Sequence, residues 1–437
     1  MKYFLEPLGC QMNKSDAERI RTVLENMGLE RTEKEEEATI LGLVSCSVRQ
    51  KSINRVYGRI DKWNNLKNRK SFFTFLSGCV LEADKINFLK LFDLVFEMND
   101  LPKLPDLIRQ YGVTIPINFS NFLDKDDNFW NIKPRYESNF QAFVPIQNGC
   151  NKFCSFCAVP YTRGREVSRP SSEIIEEVKE LILKGYKSIT LLGQNVNSYG
   201  HDKPGKEISF SELLMKIGEI GKETKNDFWI YFTSPHPSDM KDDVLEAISK
   251  YDCLAKHIHL PIQSGDNEIL KRMNRSYNLD KYRSIVKSIR QILPTATLFT
   301  DIIVGFSGET KEQFENTIKA VNEFEYDMAY IAQYSPRPGA ASYEMPDDVA
   351  LEEKKLRHHK LTDELKKVTL IRNKQMIGNN YKVLVENEDR KEGYLSGKTE
   401  GLIPVRFKEN DKSLIGKFVY IKIYSVTPFA AEGERIS

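Results

Sequence analysis

The stretch Gly149-Cys150-Asn151-Lys152-Phe153-Cys154-Ser155-Phe156-Cys157 places three cysteines at the spacing C-x3-C-x2-C in one glycine-led loop, after an apolar run at 143–146. A 4Fe–4S cube is closed by four cysteine thiolates, so three thiolates leave one iron open for a small chelating ligand. Phe156 is expected to place its ring against that ligand. The alternatives are a three-ligand zinc loop, which has no nearby histidine to support it, and a chance grouping.

Length and composition narrow the class of protein. The chain has 437 residues, 40% of them hydrophobic and 29% charged, as in a soluble globular protein of two or three domains. We expect no membrane span, because no window approaches 18 consecutive apolar residues. Glu6 and Pro7 interrupt the region where a signal peptide is apolar, which predicts a cytoplasmic protein. Seven cysteines are too few, and odd in number, for a disulfide scaffold.

Three more cysteines, Cys10, Cys46 and Cys79, each follow a predicted β-strand, at 2–6, 39–44 and 72–76. If these strands are parallel neighbours in an α/β sheet, their carboxyl ends lie along the edge where such sheets bind ligands. Three thiolates at the same topological position are therefore expected to converge on one site. The alternative is three unrelated buried cysteines, each packing as a small apolar residue.

The central segment alternates strands with amphipathic helices such as 173–184, and its predicted strands lie at 143–147, 188–192, 228–233, 257–260, 298–304 and 328–333. Six β-α units predict a parallel sheet with helices outside. Polar side chains at the strand ends are expected to hold the amino, carboxylate and ribose groups of a nucleoside ligand, or else to cap turns: Gln194, Asn195, Ser234, Gln263 and Ser264. His236, His257 and His259 are expected to be structural, and Cys253 to pack.

The three remaining stretches differ in pattern. Residues 98–140 carry four prolines and little periodicity, which favours loop and linker with a short helix at 104–111. Residues 351–374 predict a basic helix, either simply solvated or a phosphate contact. From residue 381 short alternating strands predict a small antiparallel barrel, a fold that often binds oligonucleotides.

The cysteine loop resembles the cluster motif of radical S-adenosylmethionine (SAM) enzymes. The longer string 149–170, GCNKFCSFCAVPYTRGREVSRP, resembles their methylthiotransferase family. Residues 9–13, GCQMN, and Gly78-Cys79 match two further motifs of that family. Val44-Ser45 departs from its usual Asn-Thr, and Ser307 stands where the family has proline.

This resemblance implies an α/β chain of three domains. Residues 1–125 would form a methylthiotransferase domain with an auxiliary 4Fe–4S cluster on Cys10, Cys46 and Cys79, and 126–140 a linker. Residues 141–372 would form the radical SAM core, a partial (β/α)6 barrel with a second 4Fe–4S cluster on Cys150, Cys154 and Cys157. Residues 373–437 would form a TRAM-like RNA-binding β-barrel. It implies SAM as cofactor, bound near Phe156 and the strand-end residues, and no catalytic residue beyond the cluster ligands.

The strings LGQNVNSYG and PYTRGR resemble the MiaB type of this family. That type implies radical methylthiolation of carbon 2 of N6-isopentenyladenosine beside the anticodon of tRNA. The alternatives are threonylcarbamoyl-adenosine in tRNA, an aspartate of a ribosomal protein (the RimO type), or a zinc-stabilised RNA-binding protein without catalysis. Arg163 and Arg165 are expected to contact tRNA or cofactor, unless they are a plain surface pair. The expected partners are the tRNA anticodon loop and an electron donor such as flavodoxin or ferredoxin, for a monomer without membrane attachment.

Overall fold

The computed structural model describes residues 1–46, 50–67, 70–113 and 128–436. It begins with a five-stranded parallel sheet in the order β2-β1-β3-β4-β5, formed by β1 (Lys2–Leu8), β2 (Glu30–Arg31), β3 (Ile40–Cys46), β4 (Phe73–Cys79) and β5 (Leu94–Val95). Four helices accompany it: α1 (Gln11–Asn26), α2 (Gln50–Lys67), α3 (Glu82–Phe88) and α4 (Leu104–Gln110). The predicted parallel arrangement of the three cysteine-bearing units is confirmed.

Strand β3 shows why this sheet lies between helices. All of its residues are buried, and successive side chains alternate between two apolar cores. Ile40 and Val44 pack with the α1 side, whereas Leu41 and Leu43 pack with the α2 side. The observed strands run two or three residues further than predicted, so that Cys46 and Cys79 end β3 and β4.

The segment predicted to be a linker belongs in part to this domain. A 3₁₀ turn at Met98–Lys103, helix α4 and a second turn at Phe129–Asn131 place buried side chains in the α1-side core. The short helix predicted at 104–111 is observed as α4, whereas the packing of Leu101, Ile108 and Trp130 into this core was not predicted. The predicted boundary at residue 125 lies outside the described residues.

The central domain contains the six predicted parallel strands, in two three-stranded sheets of order β10-β9-β6 and β11-β12-β13. A parallel bridge connects Ile230, within β10, to Leu254 in the segment before β11. This order follows the chain and agrees with a partial barrel of six β-α units. The strands are β6 (Gln141–Pro145), β9 (Ser188–Leu192), β10 (Trp229–Phe232), β11 (His257–His259), β12 (Thr297–Val304) and β13 (Met328–Gln333), with a small ribbon of β7 (Gln147–Asn148) and β8 (Val167–Ser168).

The helices of this domain are α5 (Val159–Arg163), α6 (Ser171–Leu183), α7 (Phe210–Glu223), α8 (Asp242–Lys250), α9 (Asn267–Arg272), α10 (Leu279–Ile292) and α11 (Lys311–Phe324). The predicted helix after Pro170 is observed as α6, and Gly185 follows its end with a positive φ of 86°. Among the described residues, no helix combines the length and apolar composition of a membrane span.

Helix α12 (Leu351–Lys374) leads from the central domain into a closed barrel of order β14-β15-β16-β18-β17. Its strands are β14 (Asn380–Glu388), β15 (Tyr394–Thr399), β16 (Pro404–Lys408), β17 (Phe418–Val426) and β18 (Ala431–Ile436). The barrel was predicted, but as entirely antiparallel, and β16 and β18 pair in parallel. A closed ring of five strands cannot alternate direction throughout, so one parallel pair is unavoidable.

Candidate metal centres and active site

The central cysteine site consists of Cys150, Cys154 and Cys157, in the loop between β7 and α5. Gly149 opens the loop with a φ of 80°, and a Cβ there would lie 2.1 Å from the carbonyl oxygen of Arg165. The Cys157 N–H donates to the Cys154 carbonyl at 2.9 Å, and the Cys150 N–H donates to Gly164 at 3.2 Å. Hydrogen bonds within its own backbone therefore close the loop. Residue 149 must be glycine, because a side chain there would collide with the backbone of Arg165.

The chemistry of the central cysteine site fits an iron–sulfur cluster. Burial raises the pKa of the Cys150 thiol to about 11, and burial, followed by the charge of Cys154, raises the pKa of Cys157 to about 12. These thiols need a bound cation to become thiolates near neutral pH. Within the described ranges, no three His, Cys, Asp or Glu side chains surround a point that one metal ion would occupy. In a cube each thiolate ligates its own iron, so three sulfurs need not share one point.

A partly buried arginine, which the sequence did not single out for this role, completes the central cysteine site. Arg275 Nη1 donates to Cys154 Sγ at 3.2 Å, Nη2 donates to the Pro261 carbonyl at 3.2 Å, and the guanidinium lies 5.1 Å from the Tyr277 ring centroid. In the described part of the chain, no carboxylate forms an ion pair with it. The site therefore receives one uncompensated positive charge.

The predicted cofactor-binding residues lie at this edge of the central sheet, in different environments. Phe156 packs against the apolar cluster of Ile269, Met273, Phe306 and Tyr334. Gln194 Oε1 accepts the Gly149 N–H at 2.6 Å, which ties the cysteine loop to the end of β9. The buried Asn195 donates through Nδ2 to Asp239 at 2.8 Å.

Two other predicted cofactor-binding residues have an unusual backbone conformation. Ser234 and Gln263 have φ of 59° and 69°, and Phe153 in the cysteine loop has 48°. Non-glycine residues in this region are strained, and such strain concentrates at functional sites. Ser264 is fully buried with its hydroxyl 3.5 Å from Thr317 Oγ1 on α11, so packing between elements accounts for its position.

Three buried polar atoms at the ends of β7, β9 and β10 have no hydrogen-bond partner among the described residues: Gln147 Oε1, Asn195 Oδ1 and His236 Nε2. The Ser238 N–H donates to His236 Nδ1 at 3.2 Å, and burial lowers the pKa of His236 to about 2, so the neutral ring carries its proton on Nε2. Unpaired buried polar atoms are costly unless a ligand satisfies them. Their positions fit a polar ligand such as SAM, and His236, predicted to be structural, is available to it.

The N-terminal cysteine site consists of Cys10, Cys46 and Cys79. Cys46 and Cys79 are register partners on β3 and β4, and Cys10 is the N-cap of α1. Interaction with a neighbouring cysteine is the largest influence on the pKa of each thiol: it lowers the pKa of Cys10 to about 6, lowers that of Cys79, and raises that of Cys46, which lies beside both. The three sulfurs therefore converge, as the strand order predicted.

Asn13 holds the N-terminal cysteine site together. Its Oδ1 accepts the Cys10 N–H at 3.2 Å, and its Nδ2 donates to the Ser45 carbonyl at 2.9 Å and lies 3.9 Å from Cys79 Sγ. One fully buried amide thus links the loops that carry all three cysteines. The Ser45 hydroxyl, at the departure from the family motif, is buried without a partner in the described structure.

Arg163 and Arg165, predicted to contact tRNA or cofactor, are placed differently. The Arg163 side chain is 5% exposed and directs Nε to Cys79 Sγ at 2.9 Å, so it offers no surface charge to tRNA. Burial between the two domains therefore disfavours a direct tRNA contact for Arg163, whereas its expected contact with a cofactor stays a prediction. The exposed Arg165 lies with its guanidinium carbon 4.4 Å from the Phe153 ring centroid, beside the central cysteine site.

Three family models match consecutive parts of the chain. Residues 2–97 match the Uncharacterized protein family UPF0004, residues 144–321 the Radical SAM superfamily, and residues 374–436 the TRAM domain. These limits agree with the three domains of the structure.

Relatives match over the whole length. A tRNA-2-methylthio-N(6)-dimethylallyladenosine synthase of Clostridium botulinum (strain Alaska E43 / Type E3) is 39% identical over 442 residues, covering 99% of this chain and 95% of the relative. A protein of the same name from Treponema denticola is 38% identical over 97% of both chains. Among solved structures, the radical S-adenosylmethionine methyltransferase TsrM from Kitasatospora setae has a TM-score of 0.56 at 13% identity, over 78% of this chain and 74% of that one. That likeness concerns the fold alone.

Proposed function

Since this chain belongs to the family of tRNA-2-methylthio-N(6)-dimethylallyladenosine synthases, we propose that it methylthiolates carbon 2 of N6-isopentenyladenosine beside the anticodon of tRNA. The observation that carries the proposal is the presence of two separate three-cysteine sites, joined by Arg163, in a chain that matches these relatives from end to end. A single three-cysteine site could hold the cluster needed for radical chemistry, but it would leave no second cluster as the source of the inserted sulfur.

The central cysteine site is proposed to hold a 4Fe–4S cluster and SAM. Bound there, they would supply one-electron reduction and the cleavage of SAM. The protein supplies the surroundings: Gln194 fixes the cysteine loop, Arg275 donates to the Cys154 sulfur, and the buried polar atoms of Gln147, Asn195 and His236 are free to bind polar groups of SAM. Burial of this edge keeps water from a reactive site.

The N-terminal cysteine site is proposed to hold a second 4Fe–4S cluster, which supplies the sulfur that is methylated and inserted. Asn13 and Arg163 orient the ligands of this cluster through the Cys10 backbone and the Cys79 sulfur. Such outer contacts set the basicity of ligands and the properties of a metal site.

The barrel is proposed to bind tRNA. Strand β17 buries Val419, Ile421 and Ile423 and exposes Tyr420, Lys422 and Tyr424 on its outer face. Exposed tyrosines stack on unpaired bases and lysines contact phosphates, which suits an anticodon loop. Helix α12 is less available, because six of its basic side chains form ion pairs: Lys354, Arg357, Lys360, Lys366, Lys367 and Arg372.

The proposal also covers the compartment, the oligomeric state and the electron donor. We expect a cytoplasmic monomer that meets tRNA and a low-potential electron donor, flavodoxin or ferredoxin, in the same compartment. The direct measurement is the chain's mass by light scattering, alone and with each donor.

The test of function is nucleoside mass spectrometry of tRNA from a bacterial host that lacks its own methylthiotransferase. The expected result is that N6-isopentenyladenosine gains one methylthio group only when the intact gene is present, and not with Cys79→Ala. Transfer to threonylcarbamoyl-adenosine instead would refute the substrate and keep the chemistry. If no nucleoside changes in a chain that holds both clusters, a ribosomal-protein substrate replaces the proposal. A colourless, zinc-containing protein would refute catalysis altogether.

A further inference from the structure

Arg163 is the last residue of α5, directly after the central cysteines, yet its side chain ends in the N-terminal domain. Its three guanidinium nitrogens have three different partners: Nε donates to Cys79 Sγ at 2.9 Å, Nη2 to Asp16 Oδ2 at 2.5 Å and Nη1 to Asn148 Oδ1 at 3.1 Å. The contact to sulfur is the shortest that any described arginine makes with a cysteine, against 3.2 Å for Arg275.

This arrangement is specific to an arginine. The side chains of Arg163 and Asp16 are 5% and 2% exposed, and a buried charge is tolerated only when it is paired and hydrogen-bonded. A planar guanidinium reaches a sulfur, a carboxylate and an amide in fixed directions, which a lysine ammonium cannot do. The fork therefore holds Cys79 at a set distance from α1, which carries Asp16, and from β7, which carries Asn148.

We propose that Arg163 is a positioning residue of the N-terminal cysteine site, which orients the Cys79 sulfur and raises the reduction potential of the cluster bound there. The inference rests on the proposed function, because it requires a cluster on these cysteines. A positive charge and an N–H donor at a ligand sulfur favour the reduced, more negative state of an iron–sulfur cluster. Asp16 opposes this effect, since its carboxylate partly cancels the charge.

Because Arg163 comes from the central domain, its contact with Cys79 also links the two domains. Arg163 belongs to the central domain, and Asn148 Nδ2 also donates to its carbonyl at 3.4 Å, so the residues on both sides of the central cysteines are attached to it. Another arginine of the central domain, Arg337, donates through Nη1 to Gln50 Oε1 at 2.7 Å, at the start of α2. The environment of the N-terminal cysteine site is therefore complete only when the two domains are docked.

The test uses the full-length chain with Cys150, Cys154 and Cys157 changed to alanine, so that the N-terminal cysteine site alone takes up a cluster. After anaerobic reconstitution with iron and sulfide, the midpoint potential is measured by redox titration followed by electron paramagnetic resonance. The rate of iron loss to a chelator is measured in parallel. Arg163→Met is expected to lower the potential and to speed iron loss about tenfold. Asp16→Asn is expected to raise the potential, and Arg163→Lys to lie between Arg163→Met and the parent.

Arg165→Met is the matched control, since it removes an arginine of the same loop that does not reach Cys79, and it is expected to leave potential and iron loss unchanged. Opposite shifts in Arg163→Met and Asp16→Asn would support a direct effect of charge. Equal potentials in Arg163→Met and the parent would overturn the inference, as would shifts of the same sign in Arg163→Met and Asp16→Asn. Neither result would argue against the second cluster itself. If the parent chain binds no iron, the proposed second cluster fails, and the inference fails with it.

Discussion

The central cysteine site takes its three ligands from one loop, whereas the N-terminal cysteine site takes them from the ends of three different elements. Cys150, Cys154 and Cys157 need only a correct local backbone, closed by its own hydrogen bonds and by Gln194. Cys10 and the pair on β3 and β4 meet only when the parallel sheet has formed. The difference shows that one chain can build two similar ligand sets through unlike routes, one local and one dependent on topology.

The two sites also differ in how their charge is balanced. Each has one arginine, at least partly buried, that donates to one cysteine sulfur: Arg275 at the central site and Arg163 at the N-terminal site. Arg163 is paired with Asp16, whereas Arg275 has only neutral partners besides the cysteine in the described structure. We therefore expect the central cluster to depend more on its arginine.

The largest difference between the sites is expected from loss of a ligand. Cys154→Ala should abolish both 5′-deoxyadenosine and the methylthio product, because SAM cleavage depends on the central cluster. Cys79→Ala should abolish the methylthio product alone. Both losses should exceed the 10- to 100-fold typical of changes around a metal's ligands. The two products are quantified by mass spectrometry in one reaction, with iron content as the control. Formation of the methylthio product by Cys79→Ala would remove the assigned role of the N-terminal site.

Arg275→Met is expected to slow SAM cleavage by about 10- to 100-fold. The substitution removes both the hydrogen-bond donor to the Cys154 sulfur and the positive charge beside it. The midpoint potential of the central cluster, measured in a chain with Cys10, Cys46 and Cys79 changed to alanine, should fall. Arg275→Lys is the control that keeps the charge. A smaller change of potential here than at the N-terminal site in Arg163→Met would contradict the expected difference in charge balance.

Asn13→Ala is expected to speed iron loss from the N-terminal site about tenfold, because one amide links the Cys10 backbone to the Ser45 carbonyl. The central site, which Asn13 does not contact, should lose iron at the unchanged rate. Chelator assays on the two single-cluster chains measure both rates. Asn13→Asp keeps the acceptor for Cys10 and loses the donor to Ser45, and it should behave as an intermediate. Equal effects on both sites would mean that the substitution acts by general unfolding.

The smallest effect is expected from Glu18, which lies on α1 where this helix meets the central domain. Burial raises the pKa of Glu18 to about 7, and its Oε1 accepts the Glu137 N–H at 3.0 Å. The folded chain therefore binds a proton that the unfolded chain releases at about pH 4.5. Stability should fall as pH rises from about 4.5 to 7 and stay lower above that range.

Glu18→Gln should remove this slope and stabilise the chain above pH 7 by about 1 to 3 kcal/mol. Denaturant midpoints at pH 5 and pH 8, for both proteins, measure the effect. A wild-type chain that is as stable at pH 8 as at pH 5, with no gain for the variant, would contradict it.

Local patterns were enough for much of the fold. The six central strands, helix α12 and the C-terminal barrel were predicted because periodicity and turn residues report nearest-neighbour structure. The packing of Leu101, Ile108 and Trp130 was not, because whether an apolar side chain packs depends on a partner surface far away in sequence. One parallel strand pair in the barrel escaped for the same reason, since closure is a property of all five strands.

The sequence by itself predicted two groups of cysteines: three through their spacing in one loop, and three through a repeated position after strands that were expected to be parallel neighbours. Only the tertiary structure decided what surrounds them. Arg163 was expected to contact tRNA or cofactor, or else to lie in a plain surface pair, but the docking of two domains buries it against Cys79 and Asp16. Asn13 and Arg275 acquire their roles within single domains, through contacts with elements that are distant in sequence. Hydrogen bonds to sulfur across long sequence separations leave no periodic signal, so contacts between elements, rather than the sequence pattern, set the electrostatics of both sites.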